Sequence, residues 1–268
     1  MDKIQARSLK CEYFANPLGI DVPFPRLSWQ ICQQKRGAAQ SAYRIFISLS
    51  QAEAAAGRGE IWDSGKILSE KCTAIEYSGL PLKSRTRYFW SVLLYDKDGV
   101  CGELSETAWF ETALMRPDEW QGCWLGMPCG GPAQLIRREF TLEKEIASAR
   151  VYIAGLGYYE LYLNGQKQGV NVMDPGYTNY SKRVFYVTYD VTGSLNRGEN
   201  CIGVMLGMGW HKHPEFILQM HVAFTDGSEF SLCTQPVSWD MFTAPITYNN
   251  IYSGEHYDYR FEVENWCR

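Results

Sequence analysis

The chain reads as all-β: two β-sandwich domains in tandem, an immunoglobulin-like sandwich followed by a jelly roll. Three observations predict this. The chain has 268 residues, long for one immunoglobulin-like sandwich of roughly 100 residues and comfortable for two. Its 46% hydrophobic content, with 17 Tyr, 12 Phe and 9 Trp, can fill two cores, and aromatic side chains favour pleated surfaces. Finally, Ala149–Gly165 (ARVYIAGLGYYELYLNG) alternates apolar and small residues, ends on Asn164-Gly165, and is followed by a second aromatic-rich run within Asp174–Thr192. Asn-Gly between two such runs marks a hairpin, because both central residues of a type I′ turn need positive φ.

The first unit is expected over residues 8–115. Pro23 and Pro25 stiffen the entry to a strand at Arg26–Ile31, and Ala42–Ser48 forms a second. Gln51–Ala56 suits a short helix, and Trp62–Lys66 a strand end with a turn. In Arg87–Tyr95, Tyr88, Trp90, Val92 and Leu94 fall on one face and Phe89, Ser91, Leu93 and Tyr95 on the other. Asp96-Lys97-Asp98-Gly99 then turns the chain, and Trp109–Thr112 closes the unit. Turns roughly every 8–12 residues argue a sandwich. At the level of fold, Tyr-x-Trp-x-Val before Asp-x-Asp-Gly resembles the penultimate strands of fibronectin type III domains.

Residues 116–133, with Gly130-Gly131-Pro132, form a joint that Trp120 and Trp124 keep packed. The second unit follows over 134–268. Its strands are expected at Ile136–Leu142, Ala149–Ala154, Tyr158–Leu163, Val184–Asp190, Cys201–Leu206, Ile217–Phe224 and Glu229–Cys233, with turns at Asn196–Asn200 and Asp226-Gly227. This suits a jelly roll of the galactose-binding kind.

Composition excludes several roles. A net charge of −4 with no basic block leaves no electrostatic footprint for nucleic acid. No apolar run approaches the ~20 residues that span a bilayer, and Met1–Arg7 lacks the apolar core of a secretory signal, so the cytoplasm is expected. The 9 cysteines are odd in number and irregularly spaced with no CxxC pair, which argues against zinc and for free buried thiols in a reducing compartment. The Gly155–Glu160 run lacks the third glycine and following helix of a dinucleotide fingerprint. No G-x-S-x-G elbow appears. His211-Lys212-His213 reads as a solvated loop rather than a metal pair.

Four stretches carry a family resemblance. They are Glu12-Tyr13, Asn16–Asp21 and Pro25–Trp29; then Ala42–Ile45, Trp62–Lys66 and Ser84–Trp90; then Gly155–Glu160, Tyr189–Thr192 and Leu206–Trp210; and last Ile251–Arg260. In this order they resemble the modules ahead of the catalytic barrel in bacterial α-L-rhamnosidases of glycoside hydrolase family 78. The resemblance implies a parent enzyme that releases terminal α-L-rhamnose with inversion. It also implies that the acid and base sit in an (α/α)₆ barrel beyond the modules seen here. Inversion needs two carboxyls roughly 6.5–9.5 Å apart, one protonated. The family's acidic motif, Arg-Asp-Glu-Arg followed by Trp, is absent, and Pro117-Asp118-Glu119-Trp120 matches no part of that order. The expected role is therefore the non-catalytic N-terminal part of such an enzyme, with the barrel and rhamnose-containing glycosides as partners. A stand-alone carbohydrate-binding module is the alternative, and an interaction scaffold a third.

Sugar sites combine an aromatic platform with Asp and Asn side chains, in some cases bridged by calcium. Candidates for carbohydrate contact are Asn164, Asn171, Asp174, Tyr177, Asn179 and Trp210. A bland reading stands beside it: Asn164 as a turn residue and Asp174-Pro175-Gly176 as a turn. The densest acidic cluster is Glu255, Asp258, Glu262 and Glu264; the resemblance implies that this stretch leads into the barrel, which makes Tyr252, Glu255, Tyr257, Asp258 and Arg260 candidates for contact with it.

Overall fold

The computed structural model describes residues 3–126, 132–211 and 213–268. Met1, Asp2, Cys129, Gly130, Gly131 and Lys212, which figure in the sequence readings, lie outside the described residues. The chain divides into two compact units, Met1–Glu119 and Trp120–Arg268.

The first unit contains β1 (Gln5–Cys11), β2 (Leu18–Ile20), β3 (Arg26–Cys32), β4 (Gln40–Ser48), the short helix α1 (Gln51–Ala55), β5 (Trp62–Asp63), β6 (Ile67–Leu68), β7 (Ile75–Glu76), β8 (Arg87–Asp96), β9 (Cys101–Leu104) and β10 (Ala108–Thr112). β8 organises one layer. It pairs with β4 along one edge, and along the other with β10 and then β9. β1, β3 and β7 form the second layer, joined to β9 by a parallel pairing of Gln5 with Glu103. Tyr88, Trp90, Val92 and Leu94 are at most 1% exposed, as the alternation of β8 predicts. Ser91 on the opposite face is buried as well, because α1 covers it and the Ser91 hydroxyl donates to the Ala54 carbonyl at 2.6 Å. The Asp96–Gly99 turn closes through Asp96 Oδ1, which accepts the N–H groups of Asp98 and Val100 at 3.0 and 2.9 Å.

The second unit contains β11 (Leu125–Gly126), β12 (Gln134–Leu142), β13 (Ile146–Leu156), β14 (Tyr158–Leu163), β15 (Gln166–Lys167), β16 (Tyr186–Asp190), β17 (Gly198–Gly207), β18 (Glu215–Phe224), β19 (Glu229–Cys233), β20 (Asp240–Thr243), β21 (Ile246–Asn250) and β22 (Gly254–Tyr257). One sheet runs β11-β18-β13-β16 with β19 beside β18, and the other runs β15-β14-β17-β12-β20. Ile136, Val151, Ile153, Leu161, Val204 and Leu218 fill the space between them. The hairpin β21–β22 pairs with neither sheet.

Two expectations change here. Asn164 and Gly165 do take the positive φ values of a tight turn, 50° and 79°, but the turn joins β14 to the two-residue β15. The aromatic-rich run that follows becomes β16 and pairs with β13 in the opposite sheet. Thiol burial holds for Cys11, Cys201 and Cys267, whereas Cys101 and Cys123 are exposed; Cys101 lies on the largely solvent-facing strand β9. The described cysteines are all free thiols. Within the stretch read as a joint, Ser84 donates to the Glu119 carboxylate at 2.6 Å in the first unit. In the second unit Trp120 meets Tyr186 edge-on at 5.6 Å and β11 joins β18. Among the described residues no helix is long and apolar enough to cross a membrane.

Trp90 is fully buried at the centre of the first core. Trp90→Ala leaves a large cavity and is expected to destabilise this unit by about 3–5 kcal/mol, read from the shift of its denaturant midpoint.

Candidate functional site

The sequence candidates divide between two ends of β14. At its far end Asn164 is held by the protein itself. Its Nδ2 donates to Ser194 O and to Asn200 Oδ1, both at 2.9 Å, and its Oδ1 accepts the Cys201 N–H at 2.8 Å. Six residues at ~3.3 Å each separate this position from the start of the strand by about 20 Å. Asn164 is thus in place as a turn residue, remote from the other candidates that follow.

At the near end, Gly157 carries the chain from β13 into β14. It sits at φ 117°, and a Cβ there would lie 2.4 Å from the Gly207 carbonyl oxygen, so no other residue fits the crossing. Tyr158 therefore starts β14 against the Met208–His211 loop. Gly209, at φ 51°, admits the Tyr158 ring, which a Cβ would approach to 2.9 Å. The Trp210 indole N–H donates to the Tyr158 hydroxyl at 3.1 Å. From Trp210 a run of rings extends in both directions. Tyr252 lies edge-on at 5.2 Å, Tyr177 tilted at 5.3 Å, then Tyr180 at 5.5 Å from Tyr177 and His211 at 5.7 Å from Tyr180. Trp210, Tyr177 and Tyr252 remain 43%, 58% and 81% exposed. The structure thus joins two of the sugar-contact candidates to one of the barrel-contact candidates.

Beside Tyr158 and Gly209 opens a cleft of about 560 Å³, lined also by Glu160 of β14, by Val172 and Met173, and by Asn249 and Glu255 of the hairpin. Glu160 is held by Lys167 and accepts the Tyr162 hydroxyl at 2.8 Å. Asn249 Oδ1 accepts the Met208 N–H at 2.6 Å. Sequence reasoning missed Tyr158, Tyr180, Asn249 and Glu160. Tyr158 carried a signal, since it stands directly after the glycine of a strand-to-strand crossing.

The remaining candidates serve the loop that borders the cleft. Asp174 Oδ2 accepts the Tyr189 hydroxyl at 2.6 Å and the Asn171 amide at 3.2 Å. The Asp174 carbonyl takes the Tyr159 N–H at 2.9 Å, which pins the loop to β14. Asn179 Oδ1 accepts from the Ser181 backbone and hydroxyl at 3.2 and 2.7 Å. These oxygens are engaged by protein donors, and among the described residues no group of three His, Cys, Asp or Glu side chains is placed to hold a metal ion. The set does not fit the six to eight oxygens of a calcium cage.

Tyr252 lies at the tip of the hairpin, and Glu255 and Tyr257 lie on β22. Asp258 accepts Arg260 Nε at 2.9 Å, which lowers the Asp258 carboxyl below its ordinary range. Tyr257 donates to Glu262, and this bond raises its phenol. Among the described residues every carboxyl with a displaced titration is displaced downward, by Arg26 at Glu12 and by Arg44 at Asp63 as well as here. A proton-holding acid requires the opposite displacement.

Burial pushes the phenols of Tyr159 and Tyr189 up, and for Tyr189 the hydrogen bond to Asp174 adds to it. A phenol whose folded pKa is raised contributes stability that is complete below the ordinary value of about 10 and is lost as pH climbs towards the folded value. The chain is therefore expected to lose stability steeply above about pH 10. Tyr189→Phe should make that loss shallower in melting experiments across the alkaline range.

Comparison with known proteins gives a consistent picture. Residues 144–268 match the model of the α-L-rhamnosidase N-terminal domain, and residues 6–116 match that of the Rha78A-like N-terminal immunoglobulin domain. An α-L-rhamnosidase of Formosa agariphila is 34% identical over 295 residues, covering 94% of this chain and 31% of that protein. One from Alteromonas sp. (strain LOR) is 31% identical over 282 residues, covering 95% of this chain and 30% of that protein. Among solved structures, the α-L-rhamnosidase from Dictyoglumus thermophilum superposes with a TM-score of 0.94 at 36% identity, over 98% of this chain and 32% of that one. The Streptomyces avermitilis α-L-rhamnosidase complexed with L-rhamnose superposes with a TM-score of 0.91 over 98% of this chain and 43% of that one; at 22% identity it is a likeness of fold alone. The chain spans about a third of the length of the curated Formosa and Alteromonas relatives it matches.

Proposed function

We propose that this chain, which belongs to the α-L-rhamnosidase family through two of its N-terminal domain types, is the non-catalytic part that supports the catalytic domain of such an enzyme. The observation that carries this reading is the superposition on the Dictyoglumus thermophilum enzyme, which covers 98% of this chain but 32% of that one. The substrates of the whole enzyme would be glycosides ending in α-L-rhamnose. The partner domain is a helical barrel carrying the acid and base, and the exposed segment with Tyr252, Tyr257, Asp258 and Arg260 is the surface we assign to it. Free thiols suit a reducing compartment, which favours the cytoplasm. Two features support the non-catalytic role: the downward-shifted carboxyls, and a hairpin whose aromatic side chains stand in solvent. Large exposed apolar patches mark interaction surfaces.

The test uses an aryl α-L-rhamnoside. The chain alone should give no turnover above buffer. Added to a relative's enzyme lacking the matching N-terminal third, it should raise that enzyme's activity or melting temperature, and Tyr257→Ala together with Arg260→Ala should weaken the gain. Turnover by the chain alone would overturn the reading.

A further inference from the structure

Beyond support of a partner domain, we infer that Cys201 and Cys267 form a redox-responsive pair, which a peroxide oxidises to a disulfide that locks residues 265–268 onto β17. On β17, Ile202, Val204 and Leu206 fill the space between the sheets. Successive residues of a strand face opposite ways, so Cys201 and Gly203 stand together on the outer face. Gly203 opens a seat there, since a Cβ at this position would lie 2.7 Å from Cys267 Sγ and 2.5 Å from the Trp266 ring. Cys267 Sγ reaches the Cys201 carbonyl oxygen at 3.6 Å, and the two thiols hydrogen-bond each other. A disulfide needs Cβ atoms about 3.5–4.5 Å apart, which a sulfur already touching its partner residue meets with a small approach.

The seat is held from several sides. The Trp266 ring meets Tyr162 edge-on at 5.1 Å, and Arg137 Nη1 donates to the carbonyls of Trp266 and Arg268, both at 3.3 Å. The bond from Cys267, helped by the Arg137 guanidinium, holds the Cys201 thiol below its ordinary range, whereas Cys267 is raised by that same bond and by burial. Cys201 is thus the nucleophile and Cys267 the resolving thiol. Both sulfurs are buried, but Asn265 and Arg268 on either side of the segment are exposed, so a local opening of this short stretch admits a molecule as small as hydrogen peroxide. The Cys201 thiolate attacks one peroxide oxygen, the O–O bond breaks, and the leaving hydroxide takes up a proton as water. The Cys267 sulfur then attacks the Cys201 sulfenic acid, gives up its proton and displaces a second water. Each sulfur loses one electron and the peroxide gains two. The remaining buried cysteine among those described, Cys11, lies in the core of the first unit.

The full folded chain is treated with hydrogen peroxide, quenched, denatured, alkylated without reductant, digested and mapped by mass spectrometry. The expected product is a peptide pair joined through Cys201 and Cys267, lighter by two hydrogens and separated by dithiothreitol. In a background of Cys101→Ser and Cys123→Ser, which removes the exposed thiols, peroxide should raise the melting temperature of the second unit by at least about 5 °C, because the new bond closes a long loop. Adding Cys267→Ser or Cys201→Ser should abolish that rise. Recovery of both cysteines alkylated under conditions that oxidise Cys101, linkage of either to a different cysteine, or a rise that persists in both serine variants would each overturn the assignment. The mapping on the unsubstituted chain decides the matter even where a serine variant fails to fold.

Discussion

At Gly157 the chain passes from one sheet of the second unit to the other within a single residue, and the arrangement of the whole aromatic surface follows from that step. The steric limit is absolute, because the space a Cβ would need is occupied by the Gly207 carbonyl. β13 and β14 are consecutive yet lie in opposite sheets, so Tyr158 emerges beside the loop that follows β17. A second limit at Gly209 sets how closely that loop approaches the Tyr158 ring. The Trp210–Tyr158 hydrogen bond and the edge-on and tilted rings that run out from it are thus placed by backbone sterics. Aromatic attraction, worth about 0.5–1.5 kcal/mol per pair, refines an arrangement that the two glycines have already imposed.

This crossing also explains what the amino-acid order reveals and what it conceals. β8 was legible because Tyr88, Trp90, Val92 and Leu94 alternate with less buried residues across a half-covered sheet, and β14 ran from Tyr158 to Leu163 as its alternation implied. The Asn164-Gly165 turn was legible from backbone chemistry, but not its partner strand, since pairing across a sandwich depends on which sheet each strand has entered. β21 and β22 escaped notice because their residues are exposed or half-buried throughout, leaving no period-2 signal to read. For the site, residue type singled out Tyr177 and Trp210, which do meet. Type alone could not separate Asn164 and Asn179, bonded to their own turns, from Asn249, whose amide nitrogen is left without a partner. That distinction rests on contacts between residues far apart in the chain.

Asp174 shows how the loop between β15 and β16 is kept in position without regular structure. One carboxylate oxygen takes the hydroxyl of Tyr189 from one sheet while the backbone carbonyl takes the N–H of Tyr159 from the other. The loop is therefore tied to both layers of the sandwich at a single residue. Tyr177 and Tyr180, a few residues further on, inherit that fixed position, and Tyr180 is steadied again by the Gly157 N–H at 3.4 Å. A rigid scaffold presenting side chains from loops is the usual construction of a recognition surface.

The two faces of the β21–β22 hairpin differ in what they meet. Asn249 and Glu255 are paired across it and line the cleft, while the rings of the neighbouring cross-strand pair, Tyr248 and His256, meet tilted at 5.1 Å. Successive residues of a strand point to opposite faces, so this second pair faces away from the cleft. A partner domain resting on that outward face, and on Tyr257 beyond it, would hold the hairpin in one position. The same contact would fix how far Asn249 and Glu255 stand from the Trp210 rings.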